Sequence, residues 1–258
     1  MTVIQEMQAD DANLPSNTLD RLTLVLDAFN GHESLGLTDI VARTGLPRSS
    51  AHRMLDRLVY LRWLQRQGRY YRLGLRLVEL GSLAVHQDRV HAAAAEHLHH
   101  LYRATGMVVH LAVLDGDDVV YLDKIGGRLA AQVPTRVGGR MPADRTALGK
   151  ALLAYRGHDE PGGEPVRRLG YATERNGAPS GFGCIAAPVG EVGEATTAIS
   201  VCGPLNRMSF DSRLTTPVQL AAAAIVRSLN AGRFVTPILQ RRNILRSLPT
   251  APSVLAEG

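Results

Sequence analysis

The first third of the chain contains three amphipathic helical patterns, followed by two short strand patterns that meet at a glycine. Apolar residues at helical spacing predict a first helix over about residues 17–30. A second helix follows Thr38, its predicted N-cap, and ends at Gly45. The third is predicted to begin with Pro47 as its first helical residue and to end near Leu61. Two helices joined by a short turn through glycine are typical of a helix-turn-helix.

A strand–turn–strand pattern follows the third helix. Residues 63–67 and 69–73 have the composition of short strands, and Gly68 between them supplies the turn. A hairpin at this point forms the wing of a winged helix-turn-helix. Residues 17–76 are therefore predicted to be a winged helix-turn-helix that binds double-stranded DNA, after an N-terminal arm of residues 1–16.

Positive charge is concentrated in the same region. Residues 43–76 contain nine arginines and a single acidic residue, Asp56. The whole chain carries a net charge of only +5, so the remainder is mildly acidic. A basic block on an otherwise acidic protein indicates a nucleic-acid site. The alternative that charge alone leaves open is a solvated arginine-rich surface.

The third helix has the features of a recognition helix. Its apolar face is predicted to be buried, and its opposite face carries polar and basic residues in the first turns. Arginine at such positions can hold guanine through two hydrogen bonds in the major groove. In the wing, Arg69 and Tyr70 are expected to contact phosphate rather than bases. The predicted base-reading set is Arg48, Ser49, Ser50, His52 and Arg53.

A second domain is expected from the length of 258 residues. Residues 77–89 are predicted to be a linking helix, residues 90–232 a separate domain, and residues 233–258 a tail. Within the second domain, an apolar hairpin pattern over residues 107–125 and two further strand patterns near residues 184 and 198 are combined with helical patterns. Strands joined by hairpins favour an α+β domain with an antiparallel sheet over a parallel βαβ sheet.

Several classes of protein are disfavoured. The acidic start of the chain resembles neither a signal nor a transit peptide, and no apolar run approaches the length of a membrane span. Two cysteines are too few for a disulfide framework and fit a reduced cytoplasm. The histidines at positions 91, 97, 99 and 100 lack partners at metal-ligand spacing. No catalytic residue, metal or cofactor is therefore predicted.

Four separated stretches give the chain a family resemblance. They are TGLPRSSAHRMLDRL, GRYYRLGLRLVELG, RVGGRMPADRTALGKALLA and the pair CIAAPVGEV with AISVCGP. In this order they resemble the IclR family of bacterial transcriptional regulators. The resemblance implies a GAF-like domain that binds a small organic or aromatic acid as effector. It also implies a homodimer formed through the DNA-binding domains, or a homotetramer, that reads an inverted repeat.

The effector pocket of the family transfers to this sequence position by position. The resemblance implies that the helix starting near residue 146 offers its backbone N–H groups, at Ala147 and Leu148, to an anion. Unpaired N–H groups at the positive end of the helix dipole suit a carboxylate. Arg145 departs from the pattern, because Asp144 and Arg145 replace a histidine and a small residue, and its side chain either enters the pocket or points to solvent. The remaining implied residues are Val133, Met141, Glu174, Phe182, Cys184, Ser200 and Cys202.

The sequence thus predicts a cytoplasmic, sequence-specific regulator whose operator binding responds to a metabolite. The alternative from another class is an enzyme that modifies a small molecule and is tethered to DNA by the winged helix. A constellation of Ser200, His110 and Asp115 resembles a catalytic triad in composition, but no nucleophile-elbow motif accompanies it. An architectural DNA-binding protein without a ligand is a third, weaker reading.

Overall fold

The computed structural model describes residues 17–157, 162–177 and 180–234. The chain divides into two compact units between Gln87 and Asp88. The predicted arm of residues 1–16 lies outside the described residues, as does the predicted tail apart from its first two residues.

The first unit is a small helical domain with a three-stranded sheet in the order β1-β3-β2. Its buried core is formed by apolar side chains of α1, α2 and α3 together with those of the strands, and Val25, Ile40 and Leu55 are fully buried. The elements are α1 (Thr18–Asp27), β1 (Leu35–Gly36), α2 (Leu37–Thr44), α3 (Arg48–Tyr60), β2 (Leu64–Gln67), β3 (Tyr70–Leu73) and α4 (Leu75–Gln87).

Two helix starts differ from the prediction. The N-cap of α2 is Gly36 rather than Thr38, and the Gly36 N–H donates to the Asp39 carboxylate at 2.9 Å. The reason is β1, which pairs with β3 immediately before the helix and so fixes where the chain turns. Pro47 is the N-cap of α3 rather than its first helical residue, since its ψ of 136° is extended. The turn between these helices runs through Gly45, which adopts a φ of 67° that favours glycine.

The second unit is built on a six-stranded antiparallel sheet in the order β6-β5-β4-β9-β8-β7. The predicted α+β fold class, with an N-terminal winged helix-turn-helix and an antiparallel C-terminal domain, is confirmed. The elements are α5 (Arg89–Thr105), β4 (Val108–Asp115), β5 (Asp118–Ile125), α6 (Gly127–Ala130), β6 (Arg140–Pro142), α7 (Ala147–Arg156), α8 (Glu164–Leu169), β7 (Ala172–Arg175), β8 (Phe182–Val189), β9 (Thr197–Pro204) and α9 (Ser212–Phe234).

The two faces of this sheet carry different side chains. On one face, large residues such as Leu111, Ile185 and Ile199 pack against α5 and α9. On the other face, small residues, among them Ala112, Ala186 and Ala198, pack beneath α7. Because side chains alternate between the faces of a strand, the register separates a large-residue core from a small-residue surface. The small residues leave space between the sheet and α7.

Candidate functional site

The exposed face of α3 gathers most of the predicted base-reading residues. Arg48, Ser49, His52 and Arg53 are exposed and line one open surface depression, together with Leu37 at the start of α2. Their spacing places them on adjacent rows of a helix, opposite the buried residues of α3. Ser50 is half-buried and lies on the side of α3 that faces α1. The structure therefore separates Ser50 from Arg48, Ser49 and His52, whereas Arg53 borders both surfaces.

Local contacts hold this face in place. The His52 ring lies 3.0 Å from the Asp56 carboxylate one turn later, and the Arg48 guanidinium donates to the Thr38 hydroxyl at 3.4 Å. Thr38, the residue predicted as an N-cap, instead contacts the recognition helix. Both contacts leave the basic side chains exposed to an approaching phosphate or base edge.

The wing is the hairpin of β2 and β3, with Gly68 at its tip in a φ of +59°. Arg69 and Tyr70 are exposed beside the tip, and the Arg69 guanidinium lies 5.3 Å from the centre of the Tyr70 ring. Stacking of this kind restrains a long cationic side chain without neutralising it. The wing thus presents an ordered positive charge, as phosphate contact requires.

A small, partly enclosed cavity lies between α7 and the small-residue face of the sheet. All ten residues considered for the effector pocket line this one cavity: Val133, Met141, Arg145, Ala147, Leu148, Glu174, Phe182, Cys184, Ser200 and Cys202. Five further lining residues were not predicted: His110, Tyr121, Thr135, Thr146 and Gly177.

The start of α7 points at the cavity with unpaired backbone donors. Thr146 is the N-cap, and its hydroxyl accepts a hydrogen bond from the Gly149 N–H at 2.9 Å. Helix geometry leaves the N–H groups of Ala147 and Leu148 without intrahelical acceptors. Together with the helix dipole, they form a site where an anion is favoured.

A glycine in the first turn of α7 allows this arrangement. A Cβ on Gly149 would lie 2.1 Å from the Ala143 carbonyl oxygen, in the short turn that precedes the helix. That contact is with backbone, so a side chain can be accommodated only if the turn moves away.

We therefore expect Gly149→Ala to lower the free energy of unfolding by about 1–3 kcal/mol through overpacking, although alanine is the better helix former. Urea unfolding of the variant measures this effect. The control is Gly81→Ala in α4, where a Cβ meets nothing within 4 Å. Equal or greater stability of Gly149→Ala would contradict the packing described here.

A neutral histidine forms the opposite wall. His110 is buried on β4, and burial, followed by the nearby Lys124 ammonium, lowers the pKa of His110 to about 3. Its Nε2 lies 2.8 Å from the Thr135 hydroxyl. Lys124 donates to the Val133 and Thr135 carbonyl oxygens at 2.7 and 2.6 Å, which ties this segment of the wall to β5. At neutral pH the wall is polar but His110 is uncharged.

Charged groups lie towards the rim. Glu174 of β7 forms an ion pair with Lys150 of α7, so its carboxylate faces the cavity with a cation beside it. Arg145 lines the cavity and is also exposed to solvent. The two alternatives for its side chain, in the pocket or in solvent, therefore both apply in part. Burial raises the pKa of the Tyr121 hydroxyl, which donates to the Met141 sulfur at 3.5 Å and stays protonated. Among the described residues, the charged groups that line the cavity are thus Arg145, whose guanidinium is free to meet an anion, and Glu174, whose charge is offset by Lys150.

Ser200 and the two cysteines form the floor of the cavity. Ser200 is 1% exposed, and its hydroxyl has no hydrogen-bond partner among the described residues. A buried hydroxyl without a partner costs free energy, so its presence favours a ligand that completes the bond. Cys184 and Cys202 are directly paired across β8 and β9, and both thiols are reduced.

The structure does not assemble the triad considered from composition. Ser200 and His110 are cross-strand neighbours, but Asp115 lies at the far end of β4 and pairs with Arg140 at 2.8 Å. Within the described ranges, no three histidine, cysteine or acidic side chains are grouped to hold a metal ion. In the same part of the chain, every helix is too short or too polar to cross a membrane.

Comparison with known proteins identifies both units. Residues 18–68 match the IclR helix-turn-helix domain, and residues 82–161 match the C-terminal domain of bacterial IclR transcriptional regulators. The regulator XynR of Escherichia coli K12 is 38% identical over 146 residues, which cover 55% of this chain and 58% of XynR. The regulator KdgR of the same organism is 29% identical over 213 residues, covering 72% and 81% of the two chains.

A solved structure extends the match to the effector domain. The crystal structure of an IclR homologue from Microbacterium hydrocarbonoxydans, complexed with 4-hydroxybenzoate, superimposes with a TM-score of 0.70 at 29% identity. The superposition covers 83% of this chain and all of that one. The family matches, the sequence relatives and the fold agree, and this chain belongs to the IclR family of bacterial transcriptional regulators.

Proposed function

We propose that this protein is a sequence-specific DNA-binding regulator whose operator affinity changes when a small carboxylic acid binds in the α7 cavity. The observation that carries the proposal is the meeting, in one cavity, of the α7 N–H groups with the unpartnered Ser200 hydroxyl. The carboxylate is held at Ala147 and Leu148, and the rest of the ligand lies towards Phe182 and Val133. The related complex with 4-hydroxybenzoate supports an organic or aromatic acid.

The wall opposite α7 determines which other functional groups the ligand carries besides its carboxylate. The Ser200 hydroxyl, the neutral His110 ring and the Glu174 carboxylate offer hydrogen bonds to a hydroxyl or carbonyl group on the ligand. Arg145 at the rim adds a positive charge near the anion. An acid that carries a second polar group is therefore favoured over a simple fatty acid.

Thermal shift tests the ligand class. A ligand that binds only the folded state raises the melting temperature by mass action. We expect 4-hydroxybenzoate, pyruvate or another small hydroxy or oxo acid to raise it, and the matching amide to leave it unchanged. If amides stabilise the protein as well as acids do, the α7 start is not an anion site.

The same samples test the alternative of an enzyme. We assign no catalytic step to the cavity, because Asp115 lies at the far end of β4 from His110 and pairs with Arg140 instead. Mass spectrometry of an acid that stabilises the protein should recover it unchanged after prolonged incubation. Conversion of the acid into a product would establish the enzyme instead.

DNA recognition is proposed to depend on the α3 arginines. Arg48→Ala and Arg53→Ala should each weaken specific operator binding by about 1–3 kcal/mol, because each arginine can hold a guanine through two hydrogen bonds. Competition binding with operator and random DNA measures the loss. The matched control is Arg57→Ala, since Arg57 is exposed beyond the first turns of α3 and stacks on Tyr60. Equal losses on both DNAs would mean that Arg48 and Arg53 contact only phosphate.

Dimerisation is proposed to involve α4. This helix has no buried residue, and Leu75, Val78 and Leu83 are 60%, 61% and 52% exposed. Exposed large apolar side chains gathered on one helix mark an interaction surface. A homodimer that pairs two winged helices would read an inverted repeat, in the cytoplasm where the DNA lies.

We expect light scattering to give the mass of a dimer or tetramer, and Val78→Asp with Leu83→Asp to reduce it. A buried charge in a subunit interface is costly, so the double variant should dissociate at micromolar concentration. Val137→Asp, an exposed apolar position in the second unit, serves as the control. A wild-type monomer that binds its operator tightly would overturn the proposal.

A further inference from the structure

Cys184 and Cys202 are placed as a disulfide requires. They are directly opposite each other on β8 and β9, on the face that lines the α7 cavity. The Leu205 N–H donates to the Gly181 carbonyl at 2.9 Å, so Gly181 and Leu205 form a hydrogen-bonded pair three positions along the ladder. Hydrogen-bonded and non-hydrogen-bonded pairs alternate along an antiparallel ladder. The Cys184–Cys202 pair is therefore a non-hydrogen-bonded pair, in which the Cα atoms are about 4.5 Å apart and the side chains are closest. A disulfide spans Cα separations of about 4.4–6.8 Å.

The surroundings of the pair make it selective. Cys184 and Cys202 are the only two cysteines of the chain, so each thiol has one possible partner within the same molecule. Cys202 is 1% exposed, whereas Cys184 is half-buried and lies nearer to solvent. The neighbouring Cys202 thiol and burial raise the pKa of Cys184, so the Cys184 thiol is protonated at neutral pH. Cys184, the more exposed of the two, is therefore the thiol that a reagent entering the cavity meets first.

We propose that Cys184 and Cys202 are a modification site at which hydrogen peroxide forms a reversible disulfide across the cavity floor and thereby weakens effector binding. The second half of this proposal rests on the proposed function of the cavity. Disulfide formation brings the two sulfur atoms to about 2.05 Å and removes both S–H donors. Ser200, two residues from Cys202 on the same face, is the polar neighbour most directly affected.

The reaction balances in two steps. The Cys184 thiolate attacks one oxygen of hydrogen peroxide, so an S–O bond forms, the O–O bond breaks, and the leaving hydroxide takes up the thiol proton as water. The Cys202 thiolate then attacks the sulfenic sulfur, so the S–S bond forms and a second water leaves. Two thiols are oxidised by two electrons, and one peroxide is reduced to two waters. Because the thiolate is the reactive form, oxidation should accelerate as the pH rises above neutral.

The test uses the full-length protein and peroxide at pH 7 and pH 9. After peroxide is removed, the protein is unfolded, alkylated and weighed intact. We expect a chain that resists alkylation at both positions and has lost two hydrogens, more rapidly at pH 9, with both thiols restored by dithiothreitol. Cys184→Ser and Cys202→Ser should each leave a single thiol that cannot form this product. A linked dimer, a sulfinic acid on one cysteine beside a free thiol on the other, or two free thiols after long exposure at pH 9 would overturn the site.

The link to effector binding has a separate readout. The melting-temperature increase caused by 4-hydroxybenzoate or pyruvate is measured on reduced, oxidised and re-reduced protein. We expect an increase in the reduced form, its loss in the oxidised form and its return after re-reduction. An unchanged increase in the oxidised form would overturn the link. If the reduced protein shows no increase, the proposed function and this link both fail, whereas the disulfide is judged by mass alone.

Discussion

The protein should lose stability steeply between pH 6.5 and pH 5, with His110 as the main cause. The pKa of His110 in the folded protein is about 3, against an ordinary value of 6.5. In this range the unfolded chain takes up a proton that the folded protein does not bind. The contribution of His110 to the free energy of unfolding is therefore complete above pH 6.5. It falls by up to about 1.4 kcal/mol for each pH unit below that value. This loss continues down to the folded pKa.

The effect of His110 on stability occurs at a higher pH than the effects of the carboxyl groups whose pKa values are shifted. The pKa values of Asp211 and Glu79 are lowered by neighbouring arginines, from ordinary values of 3.8 and 4.5, so their contribution is lost only in more acidic solution. Urea unfolding at pH 7, 6 and 5 of wild type and His110→Gln measures the difference. Glutamine can still hydrogen-bond Thr135 but does not titrate, so its curve should be flatter. Parallel curves would show that His110 does not carry the effect.

The sequence was sufficient wherever the structure depends on local periodicity. The helices of the first unit, the glycine turn at Gly45 and the wing around Gly68 were predicted because each follows from spacing within a few residues. The start of α2 was predicted wrongly because it depends on β1, a two-residue strand that exists only through pairing with β3. Similarly, β7 lacks a pattern of its own and is defined by its pairing with β8.

In the cavity, too, some residues could be predicted from the sequence and others depend on long-range strand pairing. The sequence predicted ten of the fifteen residues that line it, whereas His110, Tyr121 and Thr135 were not among them. His110 faces the cavity because β4 pairs with β9 in the register that sets it opposite Ser200. Thr135 lies in an irregular segment, which is held against β5 by the hydrogen bond from the Lys124 ammonium to the Thr135 carbonyl oxygen. Register and long-range hydrogen bonds of this kind leave little trace in the periodicity of a single sequence. Polar residues within apolar strand patterns were the available signal.

The second large effect concerns the coupling between the cavity and DNA. Ala147→Trp should abolish the response to the effector while unliganded DNA binding stays near the wild-type value. Ala147 is buried at the start of α7, and an indole there fills the space next to the N–H groups that hold the carboxylate. An effector changes DNA affinity only if it binds two arrangements of the protein unequally, and typical couplings are about 1–3 kcal/mol. The winged helix belongs to a separate compact unit, so its core should be unaffected.

Two controls accompany this variant. Ala104→Trp adds the same side chain at an exposed position of α5, outside the cavity, and should respond to the effector as wild type does. Thermal unfolding of both variants establishes that they are folded at the temperature of the assay. The related change Ser200→Ala removes the unpartnered hydroxyl without filling the cavity and should weaken the response rather than abolish it.

The most direct measurement is the titration of an operator fragment, selected from genomic DNA, with wild type, Ala104→Trp and Ala147→Trp. Each titration is made with and without a carboxylic acid that raises the wild-type melting temperature. We predict an acid-dependent change in operator affinity of about 5–150-fold for wild type and Ala104→Trp, and no change for a folded Ala147→Trp that still binds the operator. A full response of Ala147→Trp to the acid would contradict the placement of the effector at the start of α7.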